Sequence, residues 1–394
     1  MTRRRTVFRA GAILLVAAVA LALLAGPGWV ESWLQGVVPH EPYQIDADAA
    51  QLHDSLVVAD WHSDTLLWGR DPGRRSERGH VDLPRLQEGN VAIQMFTAVT
   101  KMPRGLNYES NAGDSDNVTA LVILHLWPPR TWTSLFARAI HQSERLHRLA
   151  ERAPERVAVV RTAVDLRRVL ALRESRPPGE RPVAALLGIE GAHALEGAIE
   201  NVDRLYDAGF RMVGLQHFFD NRLGGSLHGQ SGGGLTEFGR AVVRRLEKRR
   251  MVVDVAHSSP AVVDDVLAMA SRPVVVSHTG LHGACESPRN LSDTRMKRIA
   301  DAGGIVAVGY WDAAACDISP AGVVRSLRYA VDLLGVDHVA LGSDFDGATR
   351  TTFDTSELAV LTQTMLQSGF TREEIRKVMG ENTVRFLEAQ LPPS

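Results

Sequence analysis

Short apolar runs alternate with amphipathic helical stretches from residue 56 to the end of the chain. Eight runs have the length and the β-branched content of buried strands, and several stretches between them repeat their apolar residues with a helical period. The runs cover residues 56–59, 91–96, 183–189, 212–216, 251–256, 273–277, 304–308 and 338–342. Strands that alternate with helices predict an α/β fold with a parallel sheet, and eight such units predict a (β/α)8 TIM-type barrel.

One long insertion separates the second and third predicted strands. It contains two helical stretches, NVTALVILHL and LFARAIHQSERLHRLAERA, and the strand-like VAVV. The sequence has no internal repeat and no low-complexity tract beyond SGGG and RPPGERP. We therefore expect a single barrel domain over residues 51–394.

The N-terminus is of a different kind. Several arginines, within residues 3–9, precede an uncharged apolar run over residues 10–25, and Gly and Pro break the run at residues 26–28. This order predicts an export segment over residues 1–28, either a cleaved signal peptide or a retained membrane anchor with its basic end inside. Leu23 weakens the small-residue cleavage signal, which favours the anchor, and Trp29 and Trp33 could lie at the membrane interface. Residues 29–50 would then be a linker, and the barrel would work outside the cytoplasm.

Polar residues that can bind metal follow six of the eight predicted strands. They are Asp60, His62 and Asp64 after the first strand, Glu190 after the third, His217 after the fourth, His257 after the fifth, His278 after the sixth and Asp344 after the eighth. A single histidine after a strand is more often a structural group than a ligand. Because barrel active sites lie at the carboxyl ends of the strands, this repetition predicts one shared site.

Imidazole and carboxylate ligands without thiolates suit zinc, manganese or a similar divalent ion, and a shared carboxylate permits two ions. Two ions lower the pKa of a shared water from about 15.7 toward roughly 7, which supplies hydroxide at neutral pH. Other chemistries are disfavoured. The GxSxG match at residues 229–233 has no strand before it, and no P-loop or GxGxxG follows a strand.

Composition narrows the classes of partner. The chain of 394 residues has a formal net charge of −2, so it has no general attraction for nucleic acid, and we expect no nucleic-acid partner. The two cysteines, Cys285 and Cys316, lack CxxC spacing, which excludes a cysteine zinc cage. A disulfide between them stays open on the sequence.

Nine segments resemble, in order and spacing, the membrane dipeptidase family of metallopeptidases, also called renal dipeptidases. They are ADWHSDT, HVDLPRLQEGNVAIQMF, GIEGAHAL, VGLQHFFDN, GLTEFGRAVVRRL, VVDVAHSS, VVVSHTG, SPRNLSD and GSDFDG, and the likeness runs from about residue 57 to residue 382. The resemblance implies an amidohydrolase-type (β/α)8 barrel with two Zn²⁺ ions. It also implies hydrolysis of dipeptides that have a free carboxylate end, and pairing of subunits into a homodimer.

The resemblance also implies a role for each polar residue. Five residues look like the family's metal ligands. His62 and Asp64 resemble ligands of the first zinc, and Glu190 resembles the carboxylate that bridges both ions. His257 and His278 resemble ligands of the second zinc. His217 is similar to the histidine that contacts substrate and polarises its carbonyl group. Arg289 resembles the arginine that binds the substrate carboxylate, and Asp344 resembles the aspartate that moves a proton from the hydrolytic water to the leaving amine.

Other residues of the same motifs are expected in supporting positions. Asp60 and His193 are interpreted as groups behind the ligands, and Asp346 as a structural residue. Trp61 stands where the family commonly has a small residue. This departure bears on the shape of the pocket and removes no ligand.

Two other functions remain open on the sequence. The same ligand set serves metal-dependent hydrolases of this barrel that act on lactones, cyclic amides or phosphoesters. A catalytically inactive, membrane-tethered binding protein is the second alternative. It is disfavoured because a decayed site should have lost at least one ligand, and the implied set is intact.

Overall fold

The computed structural model describes Gly26 and residues 28–394. The predicted signal peptide or anchor, residues 1–28, lies outside the described residues apart from its last few positions. Among the residues that the structure describes, no helix is both long and apolar enough to cross a membrane.

Eight parallel strands close into a barrel. The strands of the chain are β1 (Gly36–Val37), β2 (Val58–Ser63), β3 (Val91–Val99), β4 (Val157–Val159), β5 (Val183–Glu190), β6 (Phe210–Gly214), β7 (Val252–Asp254), β8 (Val275–Thr279), β9 (Ile305–Val308), β10 (Val339–Leu341) and β11 (Arg350–Thr351). Within the main sheet, β2 pairs with β3 and β10, and β3 also pairs with β5, which closes the ring. The predicted (β/α)8 barrel is confirmed. β4, from the insertion, adds to β5 outside the ring.

Helices surround the barrel and fill the long insertion. They are α1 (Ala47–Ser55), α2 (Leu83–Glu88), α3 (Val118–Leu124), α4 (Leu135–Arg152), α5 (Ala163–Glu174), α6 (Glu200–Asp207), α7 (Glu237–Lys248), α8 (Pro260–Met269), α9 (Asp293–Asp301), α10 (Asp312–Ala315), α11 (Pro320–Leu334), α12 (Ala359–Gln367), α13 (Arg372–Arg376) and α14 (Asn382–Gln390). Local sequence sets several of their starts. Ser259 and Ser319 each accept a backbone N–H three residues on, and a proline follows each of them at the first helical position.

The first barrel strand is longer than its apolar run. The run ends at Ala59, whereas β2 continues through Asp60 and His62 to Ser63, and all of its residues are buried. Burial of Asp60 is tolerated because its carboxylate accepts the backbone N–H groups of His62 and Ser343, each at 3.0 Å. A strand whose polar residues are satisfied by its neighbours cannot be recognised from hydrophobicity alone.

The stretch predicted as a linker lies against the carboxyl rim of the barrel. Residues 28–34 are helical, and β1 then pairs in parallel with β11, which follows the last barrel strand. Beyond β1, the Tyr43 hydroxyl donates a hydrogen bond to the carbonyl of Thr352 at 2.8 Å. These contacts place the N-terminal stretch at the end of the barrel where the carboxyl ends of the barrel strands lie.

The two cysteines form a disulfide. Cys285 and Cys316 are bonded, with their Cα atoms 5.5 Å apart. Cys285 belongs to the loop after β8 and Cys316 follows α10, so the bond joins two neighbouring rim loops.

Candidate metal centre

Histidine and carboxylate side chains from six barrel strands meet at the carboxyl end of the barrel. Glu190, the last residue of β5, lies at the centre and is buried. Its carboxylate oxygens face four imidazole Nε2 atoms at 3.2–3.6 Å, those of His62, His217, His257 and His278. The predicted bridging residue is therefore the one that all four histidines contact.

Two residues of the cluster have left-handed backbone, which non-glycine residues rarely adopt. His257 follows β7 with a φ of 60°, and Asp344 follows β10 with a φ of 58°. Such a conformation costs roughly 1–3 kcal/mol and persists where surrounding contacts fix it. In both residues it accompanies a side chain directed into the cluster from the end of a buried strand.

Seven of the predicted site residues fall into three overlapping groups whose ligand atoms lie within 4.8 Å of one another. The groups are His62, Glu190 and His278; Glu190, His217 and His257; and His62, Asp64 and Asp344. Because the groups share members, the distances do not divide the residues into two ligand sets. The assignment of each ligand to the first or second ion stays a prediction.

The chemistry of these side chains fits divalent metal. Nε2 of His62 is buried without a hydrogen-bond partner among the described residues, and Nε2 of His257 lies 2.8 Å from Nε2 of His278. Burial lowers the pKa of both His257 and His278 well below the usual range, with Arg289 and His62, respectively, adding to the effect. The two imidazoles are therefore neutral and present lone pairs, which is the form that binds metal.

Three carboxylates share this buried space. Burial raises the pKa of Asp64 and of Asp344, and the charge on Glu190 raises both further. Burial also opposes ionisation of Glu190, but His217 and His62 hold the pKa of its carboxyl well below the usual range. Like charges packed so closely require compensating positive charge, which divalent ions would supply.

Arg289 lies beside the cluster and is 1% exposed. Its Nη2 donates to the carbonyl of His278 at 2.6 Å, while its Nε has no hydrogen-bond partner in the part of the chain that the structure describes. A buried guanidinium with a free donor fits the carboxylate of a bound ligand. The structure thus brings the predicted carboxylate-binding residue to the predicted metal ligands.

A cavity of about 70 Å³ joins Arg289 to the cluster, and sequence reasoning missed several of the residues that line it, Tyr108 and Trp311 among them. Tyr108 from the insertion and Trp311 from the loop after β9 lie beside each other, and the indole Nε1 donates to the Tyr108 hydroxyl at 3.0 Å. Burial, with the charge on Asp344 next, raises the pKa of Tyr108 to about 12. No motif marks Tyr108, because the insertion carries no strand-end pattern.

Sequence reasoning also missed the groups that orient the histidines. The Ser277 hydroxyl donates to Asp254 Oδ2 at 2.7 Å and lies 3.2 Å from His62 Nδ1 and 2.9 Å from His278 Nδ1. Contacts of this kind fix the orientation and tautomer of metal-binding imidazoles. A signal was present, because Asp254 sits in VVDVAH as Asp60 sits in VADWH, and each accepts the backbone N–H two residues on.

Two residues of the site motifs, His193 and Trp61, lie outside the groups that could hold an ion. His193 contacts the Thr100 hydroxyl at 3.0 Å, away from the groups that could hold an ion, and burial lowers its pKa to about 3. Trp61 points away from the cavity, because its Nε1 donates to Thr383 and its ring packs edge-on against Phe386. The expectation that Trp61 bears on the shape of the pocket is therefore wrong, because its side chain does not line the cavity.

A family model described as membrane dipeptidase, peptidase family M19, matches residues 46–391. The chain belongs to the membrane dipeptidase family. The resemblance that the motifs predict is thus confirmed over nearly the whole barrel. Membership makes the chain a metal-dependent hydrolase of the peptidase class.

Curated and solved relatives align with most of the length of this chain. Dipeptidase verJ of Clonostachys rogersoniana is 28% identical over 317 residues, which is 79% of this chain and 76% of that protein. Dipeptidase aclJ of Aspergillus oryzae is 26% identical over 360 residues, which is 86% of this chain and 79% of that protein. A metallo peptidase from Rhodobacter sphaeroides, liganded with a phosphinate mimic of L-Ala-D-Ala, superposes with a TM-score of 0.69 at 27% identity, covering 86% of this chain and 100% of that chain.

Proposed function

We propose that the chain is a binuclear zinc dipeptidase that hydrolyses the single peptide bond of dipeptides. The observation that carries this proposal is that Arg289 and the Glu190 cluster line the same small cavity. Metal ligands beside a carboxylate-binding cation in a confined space fit a short substrate with a free carboxyl end. The two curated dipeptidases and the dipeptide mimic bound by the Rhodobacter sphaeroides protein support the same substrate class.

The residues that would hold the two ions are His62, Asp64, Glu190, His257 and His278. When bound, two zinc ions lower the pKa of a shared water toward roughly 7 and supply positive charge near the scissile carbonyl. Ser277, held by Asp254, keeps the imidazoles of His62 and His278 oriented for this role through its contacts with their Nδ1 atoms.

The remaining groups bind the substrate and move its proton. Arg289 donates to the terminal carboxylate and so fixes which bond faces the metal cluster. His217, with Nε2 at 3.4 Å from Glu190 Oε2, would donate from Nε2 to the carbonyl oxygen as negative charge develops there. Asp344 would take a proton from the attacking water and deliver it to the leaving amine.

A substrate panel tests the proposed function. Purified full-length chain, with zinc quantified on the same sample, is assayed on a dipeptide library that includes C-terminal D-residues, on a lactone and on an aryl phosphate. We expect hydrolysis of dipeptides and no turnover of dipeptide amides, because amidation removes the carboxylate that Arg289 binds. Failure on every dipeptide by zinc-loaded protein would contradict the proposal, and turnover of the lactone or phosphate alone would favour the alternative hydrolases.

We also propose that the barrel works outside the cytoplasm, either tethered by residues 1–28 or released after cleavage. The disulfide between Cys285 and Cys316 supports an oxidising compartment. Trp29 and Trp33, each 70% exposed, lie directly after the predicted anchor, where tryptophan favours a membrane interface. Cell fractionation is expected to place the chain in the membrane or extracytoplasmic fraction, and recovery from the cytoplasm with reduced cysteines would contradict this.

A further inference from the structure

A buried acid reaches the active-site rim from the N-terminal stretch. Residues 28–34 form a helical segment on which Glu31 is 1% exposed, whereas Trp29 and Trp33 are each 70% exposed. The family match begins at residue 46, so this segment lies outside the part of the chain that the family describes. A carboxylate is costly to bury without partners, and its burial therefore marks a specific contact.

Glu31 contacts two arginines of the rim. Its Oε1 accepts a hydrogen bond from Arg70 Nε at 2.8 Å, and its Oε2 accepts one from Arg78 Nε at 3.3 Å. The Arg70 side chain is 3% exposed, and its other nitrogens donate to the carbonyl of Val81 and to the carboxylate of Asp346. Arg70 is thus held between two carboxylates, one from the N-terminal stretch and one from the loop after β10.

Asp346 fixes the loop that carries Asp344. Its carboxylate also accepts the backbone N–H of His80 at 2.6 Å and the hydroxyl of Thr65 at 2.7 Å. Three alternate residues of this loop have a left-handed backbone, which residues other than glycine rarely adopt. They are Asp344, Asp346 and Ala348, with φ of 58°, 64° and 60°. A loop in this conformation depends on contacts outside itself.

A second positive charge close to Arg70 adds to the stabilisation that the Glu31 carboxylate provides. Arg145 lies close enough that burial, followed by repulsion from Arg70, lowers its pKa to about 10. Without the negative charge of Glu31, Arg70 would keep only one of the two carboxylates that it contacts in this buried site, that of Asp346. We expect Arg70 to move toward solvent in that case and to pull Asp346 with it.

We propose that Glu31 is a positioning residue, which acts through Arg70 and Asp346 to hold the Asp344 loop in the conformation that the cavity requires. A second contact supports the same link, because the backbone N–H of Val38 donates to the carbonyl of Thr351 at 2.7 Å, just beyond that loop. The effect that we expect on dipeptide hydrolysis rests on the proposed function. The effect that we expect on the conformation of the Asp344 loop does not.

The test compares Glu31→Gln with Glu41→Gln in the full-length chain. Glu41 lies on the same stretch but is exposed, so its variant removes the same charge without a buried contact. Hydrogen exchange of residues 344–349 is expected to accelerate about tenfold in Glu31→Gln and to stay unchanged in Glu41→Gln. On dipeptides, kcat is expected to fall about tenfold in Glu31→Gln with KM within about twofold and zinc content unchanged, because Arg289 and the ligands are untouched.

Two further variants keep the test decisive. Glu31→Asp retains the charge on a shorter side chain and should give an intermediate exchange rate, which covers the case in which Glu31→Gln does not fold. Glu31→Gln combined with Asp346→Asn should change exchange less than the sum of the single effects, because both act through Arg70. Unchanged exchange at residues 344–349 in folded Glu31 variants, or equal effects from Glu41→Gln, would overturn the proposal. Absence of dipeptide turnover in the unmodified chain would count against the proposed function, while the exchange result would still decide the role of Glu31.

Discussion

Replacing Glu190 with glutamine is expected to remove bound metal and activity together. Four imidazole Nε2 atoms lie 3.2–3.6 Å from its two carboxylate oxygens. An amide has nearly the same shape but carries no charge and offers one acceptor oxygen in place of two, so it would hold divalent ions much more weakly. Loss of one group that stabilises charge in the transition state already lowers turnover by roughly 10² to 10³. Glu190 contacts all four histidines of the cluster, so its loss should have a larger effect. We expect hydrolysis of dipeptides to fall by more than about 10³-fold.

Metal analysis and activity on the same Glu190→Gln sample check this prediction. The zinc content should fall below two ions per chain, while a thermal melt shows that the barrel remains folded. Glu237→Gln is the matched control, because it makes the same change on a side chain that is 94% exposed. A Glu190→Gln variant that retained two ions and near-normal turnover would contradict the bridging role.

Replacing His217 with alanine is expected to leave metal bound and cripple turnover. The resemblance places His217 on the substrate and not on an ion, yet its Nε2 lies within a group that could hold metal with Glu190 and His257. If His217 donates to the developing oxyanion, its removal should lower kcat by about 10² to 10³ with unchanged zinc content. Metal-normalised kcat is therefore the measurement that separates the two roles.

Loss of zinc from His217→Ala, with residual turnover per bound ion unchanged, would make His217 a ligand. Exposed His282 provides a control, since His282→Ala should change neither quantity.

Asp344→Asn should follow the pattern of a catalytic residue, because it keeps the shape of the side chain and removes the proton acceptor.

Much of the site was predictable from sequence because strand ends in a parallel barrel share one rim. Residues such as His62, Glu190 and His278 each follow or end an apolar run, so the chain order alone indicates that they meet. Asp254 was missed although its sequence context parallels that of Asp60. Its role depends on Ser277, which belongs to the neighbouring strand, and strand pairing is not written in either segment alone.

The sequence by itself determined the barrel, the kinds of polar side chains at its rim and the family. These features follow from local patterns. The apolar run that predicts a buried strand and the polar residue that follows it both lie within a few positions of the chain. The tertiary structure decided which distant side chains meet at the rim, including Tyr108 from the insertion at the cavity and Glu31 from the N-terminal stretch at Arg70. The physical reason is that these contacts join residues far apart in sequence, as between Arg70 and Asp346, 276 positions apart, and no periodicity or motif records such a pairing.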